Sequence, residues 1–286
     1  MGRAQILELI KKEGILVLPV VYDALTAKIA ERAGFPAILM GGYSVSAVRL
    51  GKPDVGYLTM TEMAAQVKII AEAVSVPLIA DGDTGYGNPL NVMRTVEEYQ
   101  RAGAAGIILE DQLFPKRCGH MEGKQVIPAE EHRKKLAAAI EARGERDTLI
   151  MARTDALTPL GLQEAIRRGK AYRDAGVDAV FVEAPQTVDE LRAIRKAIPD
   201  VPLVANIIEG GKTPFLSAGE LKAMGYEICF CALTALLVSA KAIMNAMVHL
   251  RREGSSAGLA DQMFTFAEFN ELIGLEEYSS LEKKFK

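Results

Sequence analysis

The chain has no tryptophan, and only three cysteines and three histidines among 286 residues. Three cysteines, at positions 118, 229 and 231, cannot build a disulfide framework, so a reducing, cytoplasmic setting is expected. Cys229 and Cys231 alternate with Phe230 along an apolar stretch and read as core packing rather than metal ligands. No charge of one sign dominates: 34 basic against 37 acidic residues leave a net charge of −3, with both signs interspersed. That balance offers no basic footprint for nucleic acid. No apolar run approaches the roughly 18 residues of a membrane span. Residues 1–14 are charged and lack the apolar centre of a secretory signal. Residues 1–255 contain no linker and no low-complexity tract, and the expected first strand is not followed by the Gly-rich phosphate turn typical of dinucleotide-binding sheets.

What the chain does have is apolar residues, 49% of the total, arranged in a recurring unit. Glu31-Arg-Ala-Gly-Phe-Pro-Ala-Ile-Leu-Met40, Gln100-Arg-Ala-Gly-Ala-Ala-Gly-Ile-Ile-Leu109 and Arg173-Asp-Ala-Gly-Val-Asp-Ala-Val-Phe-Val182 share it, and Lys222-Ala-Met-Gly-Tyr-Glu-Ile-Cys-Phe230 is a looser copy. Each reads as a helix end, a capping glycine and then a buried strand. Two further copies of a short apolar strand, Val76-Pro-Leu-Ile-Ala-Asp81 and Val201-Pro-Leu-Val-Ala-Asn206, interleave with it. Strands are expected near 15–20, 37–40, 77–81, 106–110, 149–154, 179–183, 202–206 and 227–231, separated by helices such as 60–74, 91–102, 129–143, 160–175, 187–198 and 234–252. About eight such units predict a closed (β/α)8 barrel over 1–255, with an open doubly wound sheet as the alternative. Residues 256–286 fall outside the units; Phe264, Phe266, Phe269, Leu272 and Ile273 give this helical tail an apolar face suited to docking, on its own barrel or on a second subunit.

Barrel chemistry sits at the C-terminal strand ends. Those ends carry Gly41-Gly42-Tyr43, Asp81-Gly-Asp83, Glu110-Asp111, Arg153-Thr-Asp155, Glu183 and Asn206. Asp81, Asp83 and Glu110 are the oxygen ligands that Mg2+ or Mn2+ prefers. Arg153 presents a planar fork for a carboxylate, Asn206 a further hydrogen-bonding group, and Gly41-Gly42 backbone N–H groups open to an anion. After Glu110 a loop packs Lys116, Arg117, Cys118 and His120 into five residues. A thiol among cations is expected near its thiolate form, able to give or take a proton at neutral pH. A non-catalytic barrel that binds a carboxylate is the competing reading; it would need Arg153 and Asn206 but has no use for such a thiol.

In combination, Gly41-Gly42-Tyr43, Lys52-Pro-Asp54-Val-Gly56, Ala80-Asp81-Gly-Asp83-Thr-Gly-Tyr-Gly-Asn88, Glu110-Asp-Gln-Leu-Phe-Pro-Lys-Arg-Cys-Gly-His120, Ala152-Arg-Thr-Asp155 and Asn206 with Glu209-Gly-Gly-Lys-Thr-Pro214 resemble the isocitrate lyase/phosphoenolpyruvate mutase superfamily over essentially the whole chain. Cys-Gly-His resembles its lyase branch, and the pattern lies nearest the 2,3-dimethylmalate and methylisocitrate lyases. The resemblance implies an Mg2+-dependent carbon–carbon lyase that cleaves a 2-hydroxy-dicarboxylate to release pyruvate. Asp81 would bind the metal directly, with Asp83 and Glu110 acting mainly through waters. Gly41, Gly42, Tyr43, Asp54, Arg153 and Asn206 would hold the substrate, with Glu183 in support. Cys118 would protonate the departing enolate from a closing loop, with Lys116 and His120 tuning the thiol and holding the loop. A homotetramer with an exchanged C-terminal helix is implied as well. Methylisocitrate lyase, oxaloacetate decarboxylase or hydrolase, and carboxyphosphoenolpyruvate mutase remain alternatives. Methylisocitrate lyases resemble Cys-Gly-His-Arg where this chain has Met121. An apolar residue there, with Glu122 beside it to repel a carboxylate, suits an alkyl branch unless Arg117 or Lys124 supplies charge.

Overall fold

The computed structural model describes residues 2–286. Eight parallel strands close into a barrel in chain order: β1 (Leu16–Val21), β2 (Ile38–Met40), β3 (Leu78–Asp81), β4 (Gly106–Glu110), β5 (Leu149–Thr154), β6 (Ala179–Val182), β7 (Leu203–Ile207) and β8 (Ile228–Cys231). Closure is through β8 against β1, with Leu16 opposite Ile228 and Leu18 opposite Phe230. The predicted barrel is therefore correct, and the open sheet is excluded. Gly34, Gly103, Gly176 and Gly225, the capping glycines of the recurring unit, all take positive φ, 89–99°. That left-handed conformation ends a helix at little cost only where no Cβ is present.

Around the strands run α1 (Arg3–Glu13), α2 (Ala24–Arg32), α3 (Gly42–Leu50), α4 (Met60–Ala71), α5 (Pro89–Ala102), α6 (Ala129–Arg143), α7 (Leu157–Leu160), α8 (Leu162–Asp174), α9 (Val188–Ala197) and α10 (Ala218–Ala223). The sequence reading did not anticipate α1 or α3. Ile6 and Ile10 of α1 join the buried cluster of Leu16, Leu18, Ile79, Met151, Phe181 and Phe230 that fills the barrel. Charged side chains over the rest of α1 dilute its apolar signal. Gly41 caps and Gly42 begins α3, so the backbone N–H groups expected to be open to an anion stand at a helix N-terminus.

The chain divides into two compact units, one running up to Thr234 and the other covering Ala235–Lys286. The helix that follows β8, α11 (Thr234–Glu253), thus belongs almost wholly with the second unit, whereas the sequence places the boundary at 255. The second unit continues with α12 (Phe266–Leu272) and α13 (Leu275–Phe285). No residue of α11 is buried, and Val238, Ile243, Met244, Met247 and Val248 are exposed. Of the tail's apolar face, only Leu272 is buried; Phe264 and Phe266 stand exposed. Among the described residues no helix is long and apolar enough to cross a membrane.

Behind the barrel rim lies a buried polar layer. Asp111 accepts hydrogen bonds from Thr154 Oγ1, Arg168 Nη1, Tyr172 OH and the Asp155 N–H at 2.8–2.9 Å. His132 packs edge-on against Tyr172, ring centroids 4.8 Å apart. Burial pushes His132 down to about 4, against the pull of Asp111. The folded state therefore resists a proton that the unfolded chain takes up near 6.5. The contribution of His132 to stability should be level above pH 6.5 and fall by up to about 3 kcal/mol as the pH drops from 6.5 to 4. It is opposed over part of that range by Asp83, whose raised carboxyl takes up a proton more readily in the folded state. Urea midpoints measured across that range for the wild type and for His132→Phe test this. An identical acid slope in the variant would show that His132 does not drive it.

Candidate active site

The C-terminal strand ends enclose a cavity of about 430 Å3. Its wall includes Gly41, Gly42, Tyr43, Asp54, Asp81, Glu110, Lys116, Cys118, His120, Arg153, Glu183 and Asn206. All but one of the residues read from the sequence as site candidates thus line one space; Asp83 lies just behind, within 2.6 Å of Lys116 Nζ. Asp83, Tyr86 and Ala184 are the only non-glycine residues with positive φ among those described, and all three sit at this rim. Backbone strain of this kind is retained where the surrounding structure overrides it.

The acidic rim is ordered by backbone donors. Asp81 Oδ2 accepts the Gly42 N–H (3.1 Å) at the start of α3, and its Oδ1 accepts the Asp83 N–H (3.0 Å). The Gly42 N–H expected to meet an anionic substrate is therefore occupied by Asp81, an anion placed at a helix N-terminus. Lys116 Nζ lies 2.8 Å from Asp54 and 2.6 Å from Asp83. Burial pushes the Asp83 carboxyl up to about 6, against the pull of Lys116. Burial likewise raises Glu110 well above the usual carboxylate range, with Arg153 opposing. Glu110 Oε1 is buried without a hydrogen-bond partner. Among the described residues no three acidic, histidine or cysteine side chains form a closed metal cluster, so Asp81, Asp83 and Glu110 do not by themselves encircle an ion.

Arg153 is the hub of the opposite wall. It pairs with Asp155 (2.9 Å), Glu183 (3.1 Å) and Glu110 (3.4 Å), and its guanidinium lies 5.1 Å above the Phe181 ring. Glu183 also receives Asn206 Nδ2 at 3.2 and 3.4 Å, which engages the amide group expected to reach substrate. His120 Nδ1 accepts the Lys212 N–H (2.9 Å), so Nε2 carries the proton and donates to Glu183 Oε1 (3.0 Å). The loop that carries Cys118 is thereby fastened to the ends of both β6 and β7.

The thiol departs from expectation. Cys118 is pushed up to about 11, chiefly by burial, with the Glu183 carboxylate adding to it; the His120 N–H and Arg153 pull the other way and lose. The cations that flank it in sequence are directed elsewhere. Lys116 faces the acidic rim, His120 faces Glu183, and Arg117 Nη1 faces the Glu122 carbonyl at 3.4 Å. Cys118, half-buried, is therefore expected to hold its proton as a thiol at neutral pH. Asp54, read as a substrate contact, lines the cavity but anchors the loop, its carbonyl accepting the Cys118 N–H (3.2 Å) and its carboxylate holding Lys116. Glu122 is exposed and paired with Lys212, so it does not repel ligand in the cavity. Lys124, considered above as a source of charge, is fully buried against Asp155 at 2.8 Å. Sequence reasoning gave no role to Lys212 or to Arg168. The Gly-Gly-Lys motif marks the first, whereas a helical Arg 57 residues from its partner Asp111 carries no local signal.

A closed parallel barrel that gathers an acidic rim, an arginine hub and a protonated thiol at its strand ends is an enzyme's site. Residues 6–251 match the family described as phosphoenolpyruvate phosphomutase, and the chain belongs to that family, within the phosphoenolpyruvate mutase/isocitrate lyase superfamily of carbon–carbon lyases. It is 47% identical to 2,3-dimethylmalate lyase of Eubacterium barkeri, covering 99% of this chain and 97% of that one. It is 50% identical to the petal death protein of Dianthus caryophyllus (97% and 87%) and 41% identical to 2-methylisocitrate lyase of Aeropyrum pernix (95% and 87%). Among solved structures it resembles oxaloacetate acetylhydrolase bound to 3,3-difluorooxalacetate, with TM-score 0.93, 36% identity and coverage of 99% and 96%. It also resembles phosphonopyruvate hydrolase bound to oxalate and Mg2+, with TM-score 0.89, 34% identity and coverage of 100% and 99%.

Proposed function

We propose that the protein is an Mg2+-dependent lyase that cleaves a 2-alkylmalate, with 2,3-dimethylmalate yielding pyruvate and propionate as the favoured reaction. The observation that carries this reading is the placement of the Cys118 thiol in the same cavity as an oxygen-only acidic rim and an arginine hub. The donor set fits a hard cation: Asp81, Asp83 and Glu110 offer only oxygens, and Glu110 Oε1 is a buried oxygen without a partner. Asp81 would hold the ion directly, with Asp83 and Glu110 acting mainly through waters, and the ion would polarise the 2-hydroxy acid end of the substrate.

The chain's own residues supply the rest. Arg153 orients the carboxylate of the pyruvate-forming half, helped by Tyr43. The loop anchored by Asp54, His120 and Lys212 excludes water. The 2-hydroxyl gives its proton to a rim carboxylate, with Glu110 Oε1 the buried oxygen left without a partner to take it. As the carbonyl of pyruvate forms, the pair of the breaking carbon–carbon bond leaves on the α-carbon of the propionate fragment, and Cys118 Sγ delivers its proton to that carbon. A thiol held up at about 11 keeps that proton at neutral pH.

Met121 lines the cavity, and with Lys124 buried and Lys212 neutralised by Glu122, Arg117 is the wall cation that a third carboxylate could still use. Arg117 is the feature that favours 2-methylisocitrate as substrate. The apolar Met121 favours the alkyl branch, and we expect 2,3-dimethylmalate to be cleaved at least about tenfold more efficiently than 2-methylisocitrate, about 1.4 kcal/mol. Specificity constants from lactate dehydrogenase-coupled pyruvate release test this, and equal values would transfer the assignment to the tricarboxylate. The exposed apolar faces of α11 and the tail support self-association, which we propose is as a homotetramer. Light scattering should report a multi-subunit assembly that shrinks, or precipitates, when the chain is cut after Gly258. A truncated form with the same subunit number would contradict it.

A further inference from the structure

Arg153 carries one partner that lies outside the cavity wall, Asp155. Two residues further along the chain, Asp155 turns back to accept Arg153 Nε at 2.9 Å and Nη2 at 3.2 Å, a side-on bidentate pair. Glu183 holds Nη2 from the other side at 3.1 Å. Nη1 is left without a protein acceptor among the described residues and is free for a ligand. A guanidinium on a long side chain has several staggered positions, and a clamp is useful only if one of them dominates. Asp155 is itself immobilised. It is fully buried, its N–H donates to Asp111 Oδ1 at 2.8 Å, and Lys124 Nζ donates to its Oδ1 at 2.8 Å. Burial works to raise the Asp155 carboxyl, but Arg153 and Lys124 hold it well below the usual carboxylate range. Lys124 comes from the same loop as Cys118, four residues after His120. Between them, Gly119 lies so close that a Cβ there would collide with Arg153 Nη2 and stand 2.6 Å from Glu183 Cγ.

We propose that Asp155 is the positioning residue of the carboxylate clamp, and that Lys124 ties it to the base of the acid-bearing loop. Asp155 fixes the rotamer of Arg153 so that Nη1 faces the ligand. Lys124 supplies the countercharge that keeps Asp155 ionised and in place. Arg153 and Cys118 are then set by one buried chain, Lys124–Asp155–Arg153, rather than independently. This rests on the reading of Arg153 as the oxo-acid clamp given above.

The test is the double variant Asp155→Asn/Lys124→Met, which removes both buried charges together and roughly keeps volume. Oxalate, a planar mimic of a 2-oxo acid enolate, is titrated calorimetrically in the presence of Mg2+. The double variant should bind it about 10- to 100-fold more weakly, with a melting temperature within a few degrees of wild type. Because Asp155 works through Arg153, adding Arg153→Lys should weaken oxalate no further than Arg153→Lys alone. Wild-type affinity in the double variant, or full additivity with Arg153→Lys, would overturn the proposal. If the double variant does not fold, Asp155→Glu keeps the charge pair and displaces the carboxylate by one methylene; unchanged oxalate affinity in it also overturns the proposal. A wild-type protein that fails to bind oxalate would sink the functional reading instead. In that event a crystal structure of the double variant decides the matter, since a guanidinium still in its original position refutes positioning by Asp155.

Discussion

Replacing Cys118 with alanine is expected to lower kcat by about 10²- to 10⁴-fold, the range for loss of a positioned acid. Binding of oxalate with Mg2+ should change little, because the acidic rim and Arg153 make no hydrogen bond to the thiol. The raised thiol argues for an acid rather than a nucleophile. Burial and Glu183 push the thiol up to about 11, so it holds its proton at neutral pH. The sign follows directly: raising pH through the neutral range should not deplete the acid form, and any alkaline loss due to Cys118 should begin only near pH 10. Cys118→Ser, which keeps a proton but holds it more tightly, should fall between alanine and wild type. Turnover near wild-type rate in Cys118→Ala, measured by coupled pyruvate release, would make the residue structural.

Removing divalent metal is expected to abolish turnover, with Mg2+ or Mn2+ restoring it. Asp54, Asp81, Asp83 and Glu110 gather four carboxylates at the rim, where Lys116 reaches Asp54 and Asp83 and Arg153, shared with Asp155 and Glu183, reaches Glu110. Burial already raises Asp83 and Glu110, which is the response of carboxyl groups short of compensating charge. A bound divalent ion would relieve that shortage, so Mg2+ should also raise the melting temperature in a saturable way. Asp81→Asn should abolish this shift, since Asp81 is the carboxylate fixed by the Gly42 and Asp83 N–H groups. Full activity in excess chelator after dialysis would defeat the metal assignment.

Periodicity and punctuation in the sequence determined the barrel. Strands covered on both faces, such as Gly106–Glu110 and Leu149–Thr154, must be continuous apolar runs, and helices that end in a left-handed residue must end in glycine. The site's residue types were legible for the same reason: a charged group at the end of a buried strand, such as Asp81 or Arg153, has no packing explanation. The directions of those side chains were not legible. Lys116 reaches across 62 residues of chain to Asp54, and His120 across 63 to Glu183, so cations adjacent to Cys118 in sequence do not act on it in space. Burial, which only the closed barrel and its loop create, then outweighs local charge and turns an expected thiolate into a thiol. Likewise the backbone N–H groups of Gly41-Gly42 read as open to an anion until the fold makes them a helix start whose Gly42 N–H is already occupied by Asp81. Sequence determines which groups arrive at the rim. Pairing and desolvation, which depend on distances between strands far apart in the chain, decide the charge each one carries there.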